Sequence, residues 1–485
     1  MLTYQGILPM GVKQLILKGT FYIAIARYSG LVVGLIITSI LARILTPEDY
    51  GVVAIAMVFI TLFSLLSDMG IGSAIIQYKD LSKEDVSSIF GLSFWIGILL
   101  ALLFFLSSYP ISKFYDNQQL VTVCQILSIQ VLFVAFDMVP NSLLLKEQKF
   151  KIIAFRTLSI QICCGILAIW AAYNGWKLYS LLIAPVFGAI ISFLVNTLYS
   201  NLKLTLFPQK HVVKKIASFS TFQFLFGIIN YFGNNLHSIL IGKVIGMNAL
   251  GYYEKGNRLI ALPVQNINGV LAPVLHPILS NYQNNNEFIF CTLQKMVNIL
   301  IVISIPFSIL FCVAAKDIVL ILFGYQWMAA VPCVQILSFT IVLRMASVSL
   351  GAILQTLNRT SLLFKIGTIN VLVAIMSLIV SSSISNTIES ICIGVLVSSV
   401  ISFLFTFYSL FHIAFNKSFI KNMSVFVKPT LLYILLLTVS FTLMIYIDSN
   451  SYINLIWKAG VSCVFTLLYV HFFTEYNLSH IFKKR

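Results

Sequence analysis

The sequence predicts an all-α polytopic membrane protein of about fourteen transmembrane helices, built as two six-helix bundles followed by two C-terminal helices. Three observations predict this fold: the composition, the spacing of the apolar runs and an internal repeat. Of 485 residues, 59% are hydrophobic and only 9% are charged, with a mean hydropathy of +0.97. Water-soluble domains carry about 25% charged residues. The composition therefore excludes an ordinary soluble protein.

Apolar runs long enough to cross a bilayer recur along the whole chain. The eighth run is the least apolar, and its three prolines predict a bent helix. No small-residue cleavage site follows the first run, which we interpret as a retained span and not as a signal peptide. The predicted spans are 19–41, 51–73, 88–108, 120–140, 152–173, 179–199, 216–241, 251–277, 290–314, 330–355, 362–382, 390–411, 426–447 and 456–474.

The basic residues are distributed unequally between the two predicted sides of the membrane. The side that holds both termini carries 21 Lys and Arg, Arg156 among them, the other side carries 6, and 4 lie within spans. Such a bias predicts cytoplasmic termini. It also accounts for the net charge of +16 without nucleic acid, because basic loops lie against anionic lipid headgroups. The eight cysteines form no CxxC or metal-binding pattern, and we interpret them as packing residues.

An internal repeat relates the two halves of the chain. The segments 42–45 and 242–245 correspond at an offset of 200, and Gln-Ile-Leu-Ser at 125–128 recurs at 335–338, an offset of 210. The repeating unit is six spans, so its two copies face the same way, related by an axis along the membrane normal. Doubled bundles are typical of transporters, although a duplication kept only for packing is the alternative. The predicted domains are 1–211 (spans one to six), 212–411 (spans seven to twelve) and 412–485 (spans thirteen and fourteen with a basic tail).

The first and seventh spans place small or polar residues on the same helix face. The helical spacing unites Arg27, Gly30, Gly34 and Thr38, and their counterparts at an offset of 200 are Gly227, Asn230, Asn234 and Ser238. Lipid-facing positions should be apolar, so we expect this face to look inward. Small residues four apart also favour close helix packing, and we prefer that interpretation for the two glycines of the first span.

Further polar faces follow in the second, fourth, eighth and tenth spans. Asp68 in span two corresponds to Asn268 in span eight, which also carries Lys255, Arg258 and Gln265. Asp137 in span four and Arg344 in span ten belong to a second pair of corresponding faces. Charged residues inside the bilayer are costly and usually face protein or water. We therefore predict candidate substrate-binding residues Arg27, Arg258, Arg344, Lys255, Asn230, Asn234, Gln265 and Asn268, and candidate ion-coupling residues Asp68 and Asp137.

Simpler roles are open for some of these charges. Arg27 and Asp68 lie in the same half of neighbouring spans and could neutralise each other. Glu254 and Arg258, four residues apart, could form a local ion pair. Arg344 has no acidic residue within a helical turn, which makes it the stronger functional candidate.

Three tracts of the sequence carry a family resemblance. They are LARILTPEDYGVVAIAMVFITLFSLLSDMGIGSAIIQ (41–77), SSIFGLSFWIGILLALLFFLSSYPISKFYDN (87–117) and the basic tract LLLKEQKFK (143–151). They resemble the polysaccharide-exporter branch of the multidrug/oligosaccharidyl-lipid/polysaccharide (MOP) superfamily. Within it they are most similar to Wzx-like lipopolysaccharide and exopolysaccharide flippases of the colanic-acid and teichuronic-acid type. The resemblance is strong over about residues 18–215 and weaker through 411.

The resemblance implies two lobes around a V-shaped cavity that alternates between cytoplasmic and outer access. The implied substrate is an undecaprenyl-diphosphate-linked oligosaccharide repeat unit, flipped for surface polysaccharide synthesis in the bacterial inner membrane. By span and face, Arg27 and Arg258 map to the diphosphate-binding role. We expect no cofactor beyond a coupling H⁺ or Na⁺. The expected partners are the lipid-linked substrate, membrane lipids and polysaccharide-assembly proteins such as a polymerase, but not nucleic acid.

Two other functions fit parts of the sequence. A multidrug or cation antiporter of the same superfamily would use carboxylates such as Asp68 and Asp137 to bind a cation. A membrane polysaccharide polymerase, ligase or glycosyltransferase would need a large outer loop or paired catalytic acids. The outer loops are short and poor in acidic residues, so the sequence favours a transporter over an enzyme.

Overall fold

The computed structural model describes residues 10–78, 81–202, 205, 210–280, 285–357, 359–423, 457–458 and 460. Regular structure in these residues is helical, and no β-strand occurs among them. The chain divides into two compact units, Met1–Tyr231 and Phe232–Arg485. The predicted all-α membrane fold is confirmed. The predicted span 426–447 and nearly all of 456–474 lie outside the described residues, so the count of fourteen and the three domain limits stay predictions.

The first six predicted spans coincide with helices of the first unit. A short 3₁₀ segment, Lys177–Leu182, precedes the last of these spans. The helices are α1 (Met10–Ile44), α2 (Pro47–Asp68), α3 (Ile71–Gln77), α4 (Lys83–Tyr115), α5 (Gln119–Lys146), α6 (Phe150–Tyr173) and α7 (Ile183–Ser200).

The next six predicted spans coincide with helices from α8 onward, and α8 leads from the first unit into the second. A 3₁₀ segment, Tyr325–Ala330, precedes α12, and a π-helical segment, Ser409–Ala414, continues α16. The helices are α8 (Lys210–Val244), α9 (Met247–Ser280), α10 (Asn286–Val313), α11 (Ala315–Leu322), α12 (Val331–Ser338), α13 (Thr340–Ser347), α14 (Leu350–Thr356), α15 (Thr360–Ile384) and α16 (Ile388–Tyr408).

Nine helical segments of the described residues are long and apolar enough to cross a membrane, or ten when a bent pair is counted as one span. The bent pair is Tyr325–Ser338 with Thr340–Thr356. The helix α9 is long enough but carries Glu254, Lys255 and Arg258, in keeping with the low apolarity of the eighth predicted span. The chain is therefore a multi-pass membrane protein.

The boundary between the first two helices shows how the local sequence defines the fold. Pro47 opens α2, and the Thr46 hydroxyl accepts the Asp49 N–H at 3.2 Å, while the Thr46 N–H donates to the Asp49 carboxylate at 2.9 Å. This reciprocal cap satisfies amides that a helix start leaves unpaired. In the second unit α8 ends at Val244 and α9 begins at Met247, each 200 residues after the corresponding boundary. The repeat predicted from the sequence thus extends to helix boundaries.

The small residues of α1 pack against α6. The Gln161 amide donates to the Gly30 carbonyl at 2.6 Å, and a Cβ at Gly34 would lie 2.7 Å from the Gln161 Nε2. Further along, a Cβ at Gly165 would collide with Ile37. The glycines of the first span therefore admit a close helix contact, as the packing interpretation predicts.

The tenth span is a broken helix. The two parts, which meet at Phe339, are bent by 48°. A break inside a membrane frees backbone carbonyls that must find donors within the protein. Ser308 of α10 donates to the Ser338 carbonyl at 2.7 Å, and Thr340 donates to the Leu337 carbonyl at 2.7 Å. Hydroxyl groups thus compensate for the lost helix hydrogen bonds.

Candidate functional site

The first unit contains a cavity of about 530 Å³ that is lined by both apolar and polar side chains. The side chains that line it come from α2, α5, α6 and α7, helices that form the second, fourth, fifth and sixth spans. Both predicted ion-coupling residues, Asp68 and Asp137, lie in its wall. The other polar lining residues are Ser64, Ser67, Gln130, Asn141, Arg156, Thr157 and Ser192.

A hydrogen-bonded chain joins Asp137 to Arg156 across three helices. The Asn196 Nδ2 on α7 donates to the Asp137 Oδ1 on α5 at 2.7 Å. The Asn196 Oδ1 in turn accepts from the Arg156 Nη1 on α6. Asn196 is fully buried, and both it and Arg156 also lie 3.4 Å from the Asn141 Oδ1. The amide of Asn196 thus bridges an acid and a base that interact electrostatically inside the bundle.

Asp68 is engaged with the backbone. Its carboxylate accepts the Gly70 N–H at 3.3 Å and the Gly72 N–H at 3.1 Å, where α2 ends and α3 begins. Among the residues that the structure describes, Asp68 makes no ion pair within 4.0 Å, with Arg27 or any other residue. Mutual neutralisation of Arg27 and Asp68 is therefore not what this geometry supports.

Two buried polar atoms at the cavity have no hydrogen-bond partner in the described part of the chain. They are the Oε1 of Gln130, an acceptor, and the Nε of Arg156, a donor. Buried polar atoms in native proteins are normally paired, so each such atom needs an explanation, and a bound ligand or ion is one. The cavity therefore has unused capacity both to accept and to donate hydrogen bonds.

In the second unit, α9 carries the other group of candidates. Lys255 is 4% exposed, and its Nζ lies 5.3 Å from the Phe323 ring centroid and 5.5 Å from that of Trp327. Arg344 on α13 is half-buried and donates to the Asn257 Oδ1 on α9 at 3.3 Å. These contacts place two cations of the second unit on or against a single helix.

Among the described residues, the charged atoms of Glu254 and Arg258 do not approach within 4.0 Å. The Glu254 carboxylate accepts instead from the Ser238 hydroxyl on α8 at 2.5 Å. Arg258 itself is exposed. A hydroxyl on the neighbouring helix thus takes the direct contact, while Arg258 interacts with Glu254 electrostatically.

The remaining candidates have exposed side chains. They are Arg27 on α1, Asn230 and Asn234 on α8, and Gln265 and Asn268 on α9. A charged or amide group on a membrane-spanning helix is costly against hydrocarbon, so these surfaces fit contact with water or polar groups better than contact with lipid. The structure therefore brings Asp68 and Asp137 to one cavity and Arg344 to α9, and it does not place Arg27 in the lining of that cavity.

Sequence reasoning missed Arg156 and Asn196. Arg156 was counted with the basic residues of the side that holds the termini, but it lies on α6 and lines the cavity. Its position inside the predicted span 152–173 was the available signal. The described residues contain no group of three or more His, Cys, Asp or Glu side chains arranged to hold a metal ion.

The fold is shared with transporters of known structure. The lipid II flippase MurJ in an inward closed conformation superposes with a TM-score of 0.72 at 14% identity, covering 93% of this chain and 98% of that one. An inward-facing multidrug resistance MATE transporter of the MOP superfamily gives 0.60 at 14% identity, covering 78% and 93%. The class is thus a polytopic membrane protein with the MOP transporter fold.

Within that class, the chain belongs to the polysaccharide biosynthesis protein family, whose model matches residues 40–332. The family resemblance noted in the sequence is confirmed. The chain is 25% identical to the lipopolysaccharide biosynthesis protein WzxC of Escherichia coli K12 over 366 residues, 73% of each chain. It is 26% identical to the teichuronic acid biosynthesis protein TuaB of Bacillus subtilis 168 over 364 residues, 74% of each. The succinoglycan biosynthesis transport protein ExoT of Rhizobium meliloti 1021 is 24% identical over 306 residues, 62% of this chain and 61% of that one.

Proposed function

We propose that the protein is a flippase that moves an undecaprenyl-diphosphate-linked oligosaccharide repeat unit from the cytoplasmic to the outer leaflet by alternating access. The observation that carries this proposal is the family match over residues 40–332, on a chain with the MOP transporter fold. Named relatives act in lipopolysaccharide and teichuronic acid biosynthesis, and one is named a transport protein. The product would enter O-antigen, capsule or exopolysaccharide synthesis.

The polar and cationic side chains support such a substrate. A diphosphate bearing sugars cannot cross hydrocarbon unaided, because its polar groups would lose their hydrogen bonds to water. Arginine binds phosphate through two parallel N–H···O bonds, and this role is assigned to Arg27, Arg258 and Arg344. Lys255 would add charge, and Asn230, Asn234, Gln265 and Asn268 would bind sugar hydroxyls or phosphate oxygens.

The proposed setting is the bacterial inner membrane, with both termini in the cytoplasm. The side that holds the termini carries 20 Lys and Arg when Arg156 is left out, against 6 on the other side, and this excess supports the orientation. The proposed partners are the lipid-linked oligosaccharide, the surrounding lipids, and a polysaccharide polymerase or other assembly proteins.

A coupling cation, H⁺ or Na⁺, is the proposed source of energy, and no other cofactor is required. The cavity in the first unit supports this part of the proposal, because two carboxylates and several uncharged oxygen ligands line one space. Carboxylate, amide and hydroxyl oxygens are the ligands that hard cations prefer.

The same cavity favours a second candidate, a cation-coupled drug antiporter with the same fold. The two functions differ in cargo: an antiporter exports drugs, whereas a flippase is needed for surface glycan. A membrane polymerase or ligase is the enzymatic alternative, and its loss would block a step after the substrate has crossed the membrane.

The decisive experiment deletes the gene in its host and measures surface polysaccharide together with the leaflet location of the polyprenyl-linked oligosaccharide. A flippase mutant should lose surface glycan and keep complete repeat units on the cytoplasmic leaflet. Repeat units that reach the outer leaflet but stay unpolymerised would instead indicate an enzyme. Normal glycan with lost drug resistance would indicate the antiporter.

A further inference from the structure

The positions of the second unit that correspond to this acid, amide and base carry no charge. At the offset of 210, Asp137 corresponds to Ser347, Asn196 to Thr406 and Arg156 to Ile366. Thr406 on α16 accepts instead from the Asn370 Nδ2 on α15 at 3.2 Å. The second unit thus packs with uncharged residues at all three positions, so this packing does not itself demand an acid and a base.

The charges of Asp137 and Arg156 are therefore not needed for packing, and this points to a functional role. An ionised side chain inside a membrane-spanning helix is costly, and such residues usually belong to a substrate or ion pathway. The ionisable groups in the lining of the cavity are Asp68 of α2, Asp137 of α5 and Arg156 of α6, and α7 contributes none. With all three ionised, the lining carries one net negative charge.

The position for a compensating cation is next to Asp137. The Asp68 carboxylate already accepts two backbone N–H groups, whereas Asp137 accepts a single hydrogen bond, from Asn196. The buried Oε1 of Gln130 in the same lining has no donor among the described residues. One positive charge taken up here would balance the lining.

We propose that Arg156 is a tethered competitor of the coupling cation, holding Asp137 through Asn196 whenever no cation is bound there. The inference rests on the proposed ion coupling and names the residue that regulates it. The competing ligand is a monovalent cation, Na⁺ or a proton. Two like charges close together among buried side chains repel strongly, so cation binding at Asp137 and the engaged position of Arg156 oppose each other.

Competition of this kind couples the cation to movement of the helices. In the structure Arg156 on α6 is hydrogen-bonded to α7, and Asn196 links α7 to α5. Arrival of the cation releases Arg156 from this chain, and its departure restores the bridge. Binding of a small ion therefore changes how three membrane-spanning helices are held together.

The test measures cation binding to the purified full-length protein in lipid nanodiscs. The Na⁺ arm uses radioactive ²²Na⁺ at equilibrium, and the proton arm uses a pH indicator in Na⁺-free buffer. Arg156→Gln should bind the coupling cation roughly 10-fold more tightly than the wild type, within the range usual for coupled sites. The matched control is Lys151→Gln, which removes an exposed positive charge from the same helix and should leave binding unchanged.

A second variant, Asn196→Leu, keeps both charges but removes the bridge, and it should also tighten binding. Thermal unfolding of every variant identifies those that fold. If Arg156→Gln does not fold, the affinity of Asn196→Leu for the cation tests the competition instead. Unchanged affinity in a folded variant would overturn the competition. Absence of binding to the wild type and the variants would overturn it as well. Flipping of the lipid-linked oligosaccharide in proteoliposomes is measured separately, so a flippase without a cation site would still be recognised as a flippase.

Discussion

Lys149 and Arg359 lie 210 residues apart, and each donates to a carbonyl near the end of a helix in its own unit. Lys149 donates to the Tyr199 carbonyl at 2.8 Å, at the end of the sixth span. Arg359 donates to the Ile413 carbonyl at 2.5 Å, at the end of the twelfth. The last carbonyls of a helix lack intrahelical partners and carry partial negative charge. A basic side chain there supplies a hydrogen-bond donor and a compensating positive charge. The repeat thus preserves a clamp between a basic loop and a helix end.

Removal of this clamp should lower stability without abolishing the fold. Arg359→Ala should reduce the free energy of unfolding by about 1 kcal/mol, the scale of a partly exposed hydrogen bond to a charged group. The thermal midpoint of the purified protein in detergent measures it. Lys365→Ala, which removes an exposed charge from the following helix α15, is the control. An equal shift in both variants would assign the effect to charge and not to the clamp.

Asp68 is suited to separate a capping role from an ionic one. The Gly70 and Gly72 N–H groups donate to different oxygens of Asp68, and Asp68→Asn keeps one of these oxygens, so part of the cap should be preserved while the charge is lost. Asp68→Ala removes the charge and both acceptor oxygens, and it should lower the free energy of unfolding by about 1 kcal/mol, as for lost helix caps. Loss of cation-driven transport in folded Asp68→Asn would establish an ionic role. Full transport by this variant would leave Asp68 with the structural role alone.

Arg27→Ala and Arg344→Ala should impair export of the lipid-linked oligosaccharide while membrane insertion stays normal. Each substitution removes a group proposed to bind the diphosphate, and a hydrogen bond to a charged group is worth about 1.5–3 kcal/mol, or roughly 10- to 100-fold in transport. Surface glycan in a complemented deletion strain and protein in the membrane fraction are the two readouts. Lys113→Ala, a change of an exposed residue near the end of α4, is the control. Normal glycan export by both arginine variants would contradict their assignment to substrate.

The ion pair of Asp317 and Lys458 should matter more than a surface pair. Their charged atoms are 2.6 Å apart, and the side chains are only 7% and 14% exposed, respectively. Removal of one partner from a buried pair leaves an uncompensated charge and costs about 3–5 kcal/mol. Asp317→Ala should therefore unfold at a lower temperature than the double variant with Lys458→Met. Additive losses in this double-mutant cycle would show that the two side chains are not coupled.

The sequence predicted the positions of helices better than the contacts of polar side chains. Twelve of the predicted spans coincide with helices, because length and hydrophobicity are local properties of the chain. The offset of 200 also located corresponding boundaries at Ile44 and Val244. The tetrapeptide Gln-Ile-Leu-Ser shows that local sequence alone does not determine where a helix ends. At 125–128 it lies inside the continuous helix α5, whereas at 335–338 it ends α12. Residues on neighbouring helices make the difference: Ser308 on α10 donates to the Ser338 carbonyl and so stabilises the end of α12.

The candidate site was predicted only in part for the same reason. Periodicity placed Asp68 and Asp137 on polar faces, and the structure brings both to one cavity. Periodicity within a span cannot show that Arg156 and Asn196, 40 residues apart, are hydrogen-bonded to each other and that Asn196 also bonds Asp137. It also cannot show that Glu254 pairs with Ser238 on another helix. Contacts between helices depend on packing that a single helical wheel does not contain.

The bend in the tenth span has a mechanical meaning. A straight helix is rigid, so a displacement of one end moves the other. A helix with a 48° break consists of two rigid halves joined at a hinge. The first half, α12, and the second half, α13, which carries Arg344, both pack against α9, α10 and α16. Hydroxyl groups already bond the carbonyls at the joint. The half of the span that carries Arg344 is therefore not held in line with α12 by a continuous helix.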